Sequence, residues 1–268
     1  MNRYCTLVLR LALITASASV LVACASGPSA NISLIPVETG EQTSKEGLFT
    51  QAIKWKHVKP GCKGECPTLE VDSVVFPGNT RLTELTDYAL AMMTGLGNGA
   101  APAYATIAQF EDHFFQTAAS RDSVLLSAKT RYRNKHLTVV ELNTWQYFTG
   151  AAHGISATQF LNWDNNTGKV LGLADVIQPG QEPGYVAALK EQHAQWLSSN
   201  PDAIQDPVGY GRMWPFQVSR NFAFTDQGLV VKYDSYQIAP YSSGQPELLI
   251  PYHALGGVLR PAYIPVAG

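Results

Sequence analysis

WQYFTGAAHGISATQFLNWDNNTGKVLGLADVI, residues 145–177, decides the fold. Trp145, Tyr147 and Phe148 end one strand, since aromatic side chains suit a pleated, half-buried surface. Gly150-Ala-Ala-His153-Gly154 turns the chain, and Ile155 to Trp163 resumes as a second strand with aromatic and polar residues interleaved. Asp164-Asn-Asn-Thr-Gly168 is another turn: Asp and Asn side chains bond their own backbone, and Gly168 accepts a positive φ. Leu171, Leu173 and Asp175-Val-Ile177 then run into the Pro179-Gly180 break.

Upstream, more strands feed the same sheet. Residues 51–58 alternate weakly and residues 68–76 clearly, with Leu69, Val71 and Val74 beside Glu70, Asp72 and Ser73. Pro77-Gly-Asn79-Thr80 closes the second strand and caps a helix. Leu82, Leu85, Ala89, Met92, Met93 and Leu96 follow at helical spacing, and the methionine pair reads as core. Tyr104, Ile107, Phe110, Phe114 and Ala118 mark a second helix whose solvent face carries Asp112 and His113. Residues 124–132 and 137–145 alternate on either side of Asn134-Lys135 and form a long hairpin.

Downstream, Pro183 stands where a helix starts, because its missing N–H is not needed there. Leu189, His193, Trp196 and Leu197 lie on its apolar face, and Asn200-Pro201 stops it. Residues 202–215, DAIQDPVGYGRMWP, lack periodicity and are expected to form a long loop. Tyr210, Arg212 and Trp214 within it are candidate ligand contacts, Arg and Trp being over-represented at binding hot spots. Residues 222–233 read as a hairpin with Gly228 in the left-handed conformation. Tyr236 and Tyr241 sit in an aromatic-rich connection, also a candidate contact, before a last strand at 247–250. Strands and helices mix without βαβ regularity. The class is therefore α+β, a mainly antiparallel β-sheet packed with about three helices in two interlocked subdomains, residues 48–150 and 151–262.

The first residues are an address. Arg3 and Arg10 accompany an apolar run ending at Leu21-Val-Ala-Cys24, which reads as a lipoprotein signal peptide over residues 1–23 with lipidation at Cys24. Several acyl chains, at ~0.8 kcal/mol per buried CH₂, hold such a protein on a membrane. Ala25 follows the cysteine, not an inner-membrane-retaining Asp, so the expected location is the outer membrane, facing the periplasm. Residues 24–47 are rich in Ser, Gly, Thr, Pro and Glu and read as a flexible tether.

Composition narrows the chemistry. Net charge is −2 with 15% charged residues, and no basic stripe points to nucleic acid. Cys62 and Cys66 have no second pair to complete a zinc site, so a small disulfide loop is preferred in an oxidising compartment. No cofactor motif and no metal site are read. His153, between glycines, is the best candidate for acid–base work, as in a hydrolase of envelope glycan or ester bonds. The preferred reading is that His153, with Gly154, fixes a structural turn, as Asp164, Gly168 and Gly228 do elsewhere. A purely structural envelope lipoprotein is the third reading.

The GxxHG turn, the aromatic strand, Asp164 to Lys169, Leu171 to Asp175, the 224–233 hairpin, and residues 236–244 and 247–252 together resemble the RsiV/PdaC-type extracytoplasmic domain family. That resemblance implies a domain which, in the anti-sigma factor RsiV, grips lysozyme, and which accompanies a peptidoglycan deacetylase in PdaC. With so few residues before Cys24, neither a sigma-binding segment nor a deacetylase domain is expected to accompany it. The expectation is a lipid-anchored protein that binds a lysozyme or other muramidase, or a peptidoglycan ligand, and inhibits or senses it.

Overall fold

Alternation of apolar and polar residues produces nine strands in two sheets among the described residues. The structure is a computed structural model that describes residues 49–95, 102 and 104–264, all within one compact unit. Residues 1–23, read as a signal peptide, and residues 24–47, read as a lipidated tether, lie outside the described residues. Among the described residues, no helix is long and apolar enough to cross a membrane.

The large sheet runs in the order β1 (Gln51–Val58), β2 (Thr68–Val75), β3 (Ser123–Arg133), β4 (Leu137–Tyr147), β5 (Ile155–Asp164) and β6 (Lys169–Val170). Its pairs are antiparallel except β2 with β3, which makes it a mixed sheet. The exception follows from connectivity: two helices, α1 (Thr80–Met92) and α2 (Ile107–Thr117), lie between those strands and supply the crossover that a parallel pair requires. Asn79 caps α1 by accepting from the Leu82 N–H at 3.0 Å, and Thr106 caps α2 by accepting from Gln109 at 3.2 Å. The β1–β2 connection carries the Cys62–Cys66 disulfide, as the spacing implied.

The small sheet is β7 (Phe222–Phe224), β8 (Gly228–Lys232) and β9 (Glu247–Pro251), all antiparallel. Before it come α3 (Leu173–Val176), α4 (Glu182–Ser199), α5 (Pro201–Gln205) and α6 (Pro207–Met213). The three long helices are those read from periodicity. In place of the loop expected over residues 202–215, Pro201–Gln205 and Pro207–Met213 are two short helices. Asn200 and Asp206 each cap one, and Pro201 and Pro207 each occupy its first turn, so a pair read as a helix stop is also a start.

Two hydrophobic clusters lie on opposite faces of the large sheet. Leu69, Val71, Leu126, Val140 and Leu142 pack against α1 and α2, with Met93 buried among them as expected. Val139 and Phe160 pack instead against Phe222, Leu229 and Ile250 of the small sheet and Tyr185 and Leu189 of α4. Strand β4 therefore serves both clusters and is buried on both faces through Leu142.

Where the sheets meet, side chains complete the backbone hydrogen bonding. Asn221 accepts from Phe160 N–H at 3.0 Å and donates to the Thr158 carbonyl at 2.7 Å, covering the open part of the β5 edge. Asn162 does the converse for β7, donating to the Phe222 carbonyl and accepting from Phe224 N–H. Each amide stands in for a missing strand, pairing one backbone N–H and one carbonyl. Beside them, Glu141, only 2% exposed, meets Lys232 and Arg131 at 3.0 Å and Lys129 at 3.5 Å.

Candidate functional site

The turn after β4 is built to hold one ring. Thr149 donates its backbone N–H to Asp122 at 2.7 Å, and Gly150 adopts φ +91°. A Cβ on Gly154 would overlap the Trp145 indole, so glycine is required there by close approach. Between them, His153 stacks on Tyr241 with centroids 3.9 Å apart. Its Nδ1 lies 2.9 Å from the Gly154 carbonyl and its Nε2 lies 3.0 Å from the Tyr236 hydroxyl. A neutral ring donating from Nδ1 and accepting Tyr236 O–H at Nε2 satisfies both contacts.

Tyr236 is the strained member. Its φ of +72° is the left-handed region that a side chain rarely enters, while the residue remains 52% exposed. A tight turn enforces the conformation: Tyr236 N–H donates to the Ala239 carbonyl, and Gln237 bonds Asp234 through both backbone and side chain. Trp214 stacks on Tyr236 at 6.2 Å, and Tyr241 tilts against it at 5.9 Å. His153, Trp214, Tyr236 and Tyr241, from three separate segments, form one aromatic cluster.

Arg212 stands exposed in the last turn of α6, two residues before Trp214. Tyr210 is buried at 7% exposure, so it anchors α6 from below instead of meeting a ligand. Burial pushes its hydroxyl pKa up, and the charge of Asp202 adds to this. Exposed apolar side chains surround the cluster in sequence: Phe148 and Ile155 flank the His153 turn, and Ile204, Val208, Met213 and Val218 flank Trp214. Val208 is 80% exposed and Met213 70%. A polar pocket of about 370 Å³, lined by Arg220, Asn221, Lys232, Asp234 and Gln237, lies next to the Tyr236 turn.

The remaining turn residues divide. Asp164 accepts from Asn166 and Thr167 N–H groups, and Gly168 has φ +65°, as read. Gly228 is not left-handed; it lies where a Cβ would overlap the Ile250 carbonyl of β9, so the signal was close approach between strands. Among the described residues, no group of three or more His, Cys, Asp or Glu is arranged to hold a metal. Sequence reading missed the Asn162–Asn221 exchange and the strain at Tyr236. The first depends on a contact across 60 residues, and the second has no sequence mark, since Gly or Asn is the usual occupant of such a φ.

No curated protein matches the chain. Residues 174–253 match the family model described as "Protein of unknown function (DUF3298)". The crystal structure of a DUF3298 family protein from Bacteroides fragilis NCTC 9343 is 23% identical and shares the fold, at TM-score 0.63 over 80% of this chain and 94% of that one. A second crystal structure, of a DUF3298 family protein from Pseudomonas aeruginosa PAO1, is 35% identical, with TM-score 0.75 over 82% of this chain and 98% of that one. With that identity over that span, the chain belongs to the DUF3298 family.

Proposed function

We propose that this protein is a lipid-anchored cell-envelope lipoprotein that recognises a macromolecular partner through the His153–Trp214–Tyr236–Tyr241 cluster, the partner being a muramidase of the lysozyme type. The observation that carries the reading is Tyr236: a half-exposed residue, held in a strained backbone conformation and braced by three aromatic neighbours. Exposed Met, Val, Ile and Phe side chains on the segments that carry Trp214 and His153, with exposed Arg212 two residues before Trp214, are residue types that protein interfaces favour. Resemblance to the lysozyme-binding RsiV domain supplies the class of partner, and Arg212 matches the acidic cleft of such an enzyme. The Leu21-Val-Ala-Cys24 sequence, followed by Ala25, supports an anchor at Cys24 that would hold this surface at the outer membrane, facing the periplasm. Both ring nitrogens of His153 are engaged within the cluster, which favours recognition over hydrolysis.

The test is a titration of the full chain, purified in detergent, with hen egg-white lysozyme, paired with a muramidase activity assay. Binding is expected, weakened ~10-fold or more in Trp214→Ala and Arg212→Ala, since hot-spot truncations cost ≥ 1–2 kcal/mol. Absence of binding, or affinity unchanged in both variants, would reject the assignment.

A further inference from the structure

A second site lies at the far end of β4 and β5 from His153. Strand β5 has ten residues, so the two ends stand roughly 30 Å apart. There a cleft of about 560 Å³ opens between the β3–β4 turn, the β5–β6 turn and the C-terminal 3-10 turn at Pro261–Tyr263. This is within the range of small-molecule sites, about 300–1,000 Å³.

Three tyrosines, Tyr132, Tyr252 and Tyr263, wall the cleft, with Leu137 also lining it. Tyr252 is fixed by its O–H donating to the Thr225 carbonyl at 2.8 Å, and Tyr263 by packing on Phe224. The polar lining comes from the two turns, as Asn134, His136, Asp164 and Asn166. These turns are tied to each other. Asn165 donates its N–H to the His136 carbonyl at 2.8 Å and its side chain to the Asn134 carbonyl at 3.2 Å. Asn166 Nδ2 lies 3.1 Å from His136 Nδ1, while Asn134 Nδ2 donates to the Tyr132 hydroxyl at 3.0 Å. The site is therefore ordered before any ligand arrives, which removes much of the entropic cost of binding.

The lining selects the ligand. Among the described residues it contains no lysine or arginine, so a phosphate or carboxylate would meet no cation there, and Asp164 would repel it. Amide, imidazole and carboxylate groups supply donors and acceptors together, as a hydroxyl-rich molecule requires. Tyrosine rings offer flat apolar faces for the C–H face of a pyranose ring, and the bonds of the Tyr252 hydroxyl to the Thr225 carbonyl and of Asn134 to the Tyr132 hydroxyl hold two of those rings in place. We propose that this cleft binds an uncharged oligosaccharide, separately from the recognition surface at Tyr236. It gives the aspartate- and asparagine-rich turn at 164–168 a role beyond closing two strands.

Isothermal titration of the full chain in detergent with chitotriose and with maltotriose tests this. Binding of at least one trisaccharide is expected, weakened ~10-fold in Asn166→Ala and in Tyr263→Ala and unchanged in Trp214→Ala. Binding of chitotriose alone assigns an N-acetylated amino sugar, and equal binding of both assigns pyranose recognition in general; either result supports the proposal. No heat with either sugar to 10 mM overturns it, as does binding that survives both cleft substitutions. Nuclear magnetic resonance titration of the unsubstituted chain makes the result independent of how the variants fold: shifts at His136 and Asn166 support the cleft, and shifts confined elsewhere overturn it.

Discussion

Replacing Glu141 by Gln removes one charge from the junction of the two sheets, and its consequence follows from the geometry. The cluster holds three cations, Lys129, Arg131 and Lys232, and two anions, Glu141 and Glu247, a net charge of +1. Glu141→Gln leaves one anion and raises the local charge to +2. At an effective dielectric of 20, a charge pair at 3.0 Å attracts by about 332/(20 × 3.0), or ~5.5 kcal/mol, before desolvation is subtracted. Breaking one partner of a buried pair costs ~3–5 kcal/mol. Glu247 still neutralises part of the charge on Lys232, at 3.2 Å, and on Arg131, at 2.7 Å, so the expected loss is near the lower end, ~3 kcal/mol by urea denaturation at pH 7. The double variant Glu141→Met with Lys232→Met restores a net +1 and is expected to recover most of that loss. Burial acts to raise the Glu141 carboxyl pKa. The hydrogen bond from Lys232 and the charges of Lys232, Lys129 and Arg131 outweigh burial, and hold it below 4.5. The folded pKa is depressed, so this stability is complete above about 4.5 and is lost as pH falls through the folded value; Glu141→Gln should flatten that part of the acid limb. A single variant within ~0.5 kcal/mol of the parent, the range of an ordinary surface substitution, would refute the reasoning, as would a double variant no better than the single.

Gly228→Ala forces a methyl group against the Ile250 carbonyl and the Pro251 backbone, atoms that cannot swing aside; a loss of ~2–3 kcal/mol in urea denaturation is expected, against ~1 kcal/mol for Gly150→Ala, where only the positive φ resists. Equal costs at the two positions would show that β8 and β9 do not depend on that approach. Burial raises the Asp234 carboxyl pKa despite hydrogen bonds from Thr158 N–H and Gln245, so its folded-state stability is greatest below 3.8 and declines as pH rises through the folded value. Asp234→Asn keeps an acceptor for both donors and should leave the urea midpoint at pH 7 unchanged or raised; a clear drop would mean that the carboxylate charge is needed there.

Elements whose reasons are local were legible in the sequence. Asn79 and Thr106 cap helices that the apolar spacing had already placed, and Gly168 takes the φ that a DNNTG turn demands. Residues 201–213 were misread because Asn-Pro and Asp-Pro serve equally as the end of one helix and the cap of the next; only the packing of Tyr210 beneath α6 decides between them. Gly228 was placed correctly in a hairpin but for the wrong cause, since a glycine needed for φ and one needed for space look identical in a sequence. The parallel β2–β3 pair is implied by the two intervening helices once their length is considered. Trp214, Tyr236 and Tyr241 were legible as parts of one contact surface and His153 as a turn residue apart from it, but the stacking of the four rings together was not. They come from segments up to 88 residues apart (241 − 153 = 88), brought together by a sheet whose register no local pattern records.

That convergence also bears on whether the site breaks bonds. A general base needs a lone pair within reach of the proton it removes. In the neutral ring, the lone pair on His153 Nε2 receives the Tyr236 hydroxyl proton. Freeing it for catalysis would release the contact that braces Tyr236 in a conformation costing roughly 1–2 kcal/mol, and would loosen the stack with Tyr241. The imidazole can prop the aromatic surface or serve as a base toward a substrate, but one nitrogen does not do both at once. Cradling between Gly150 and Gly154 fixes the ring toward Tyr236 and Tyr241, not toward a nucleophile, and so toward the role of a prop. The polar pocket at Lys232 and Asp234 provides no substitute, because Lys232 is already held by Glu141 and Glu247 and Asp234 by Thr158 and Gln245. The contacts at this end of the molecule hold an aromatic surface rigid, and a rigid surface loses less entropy when it binds.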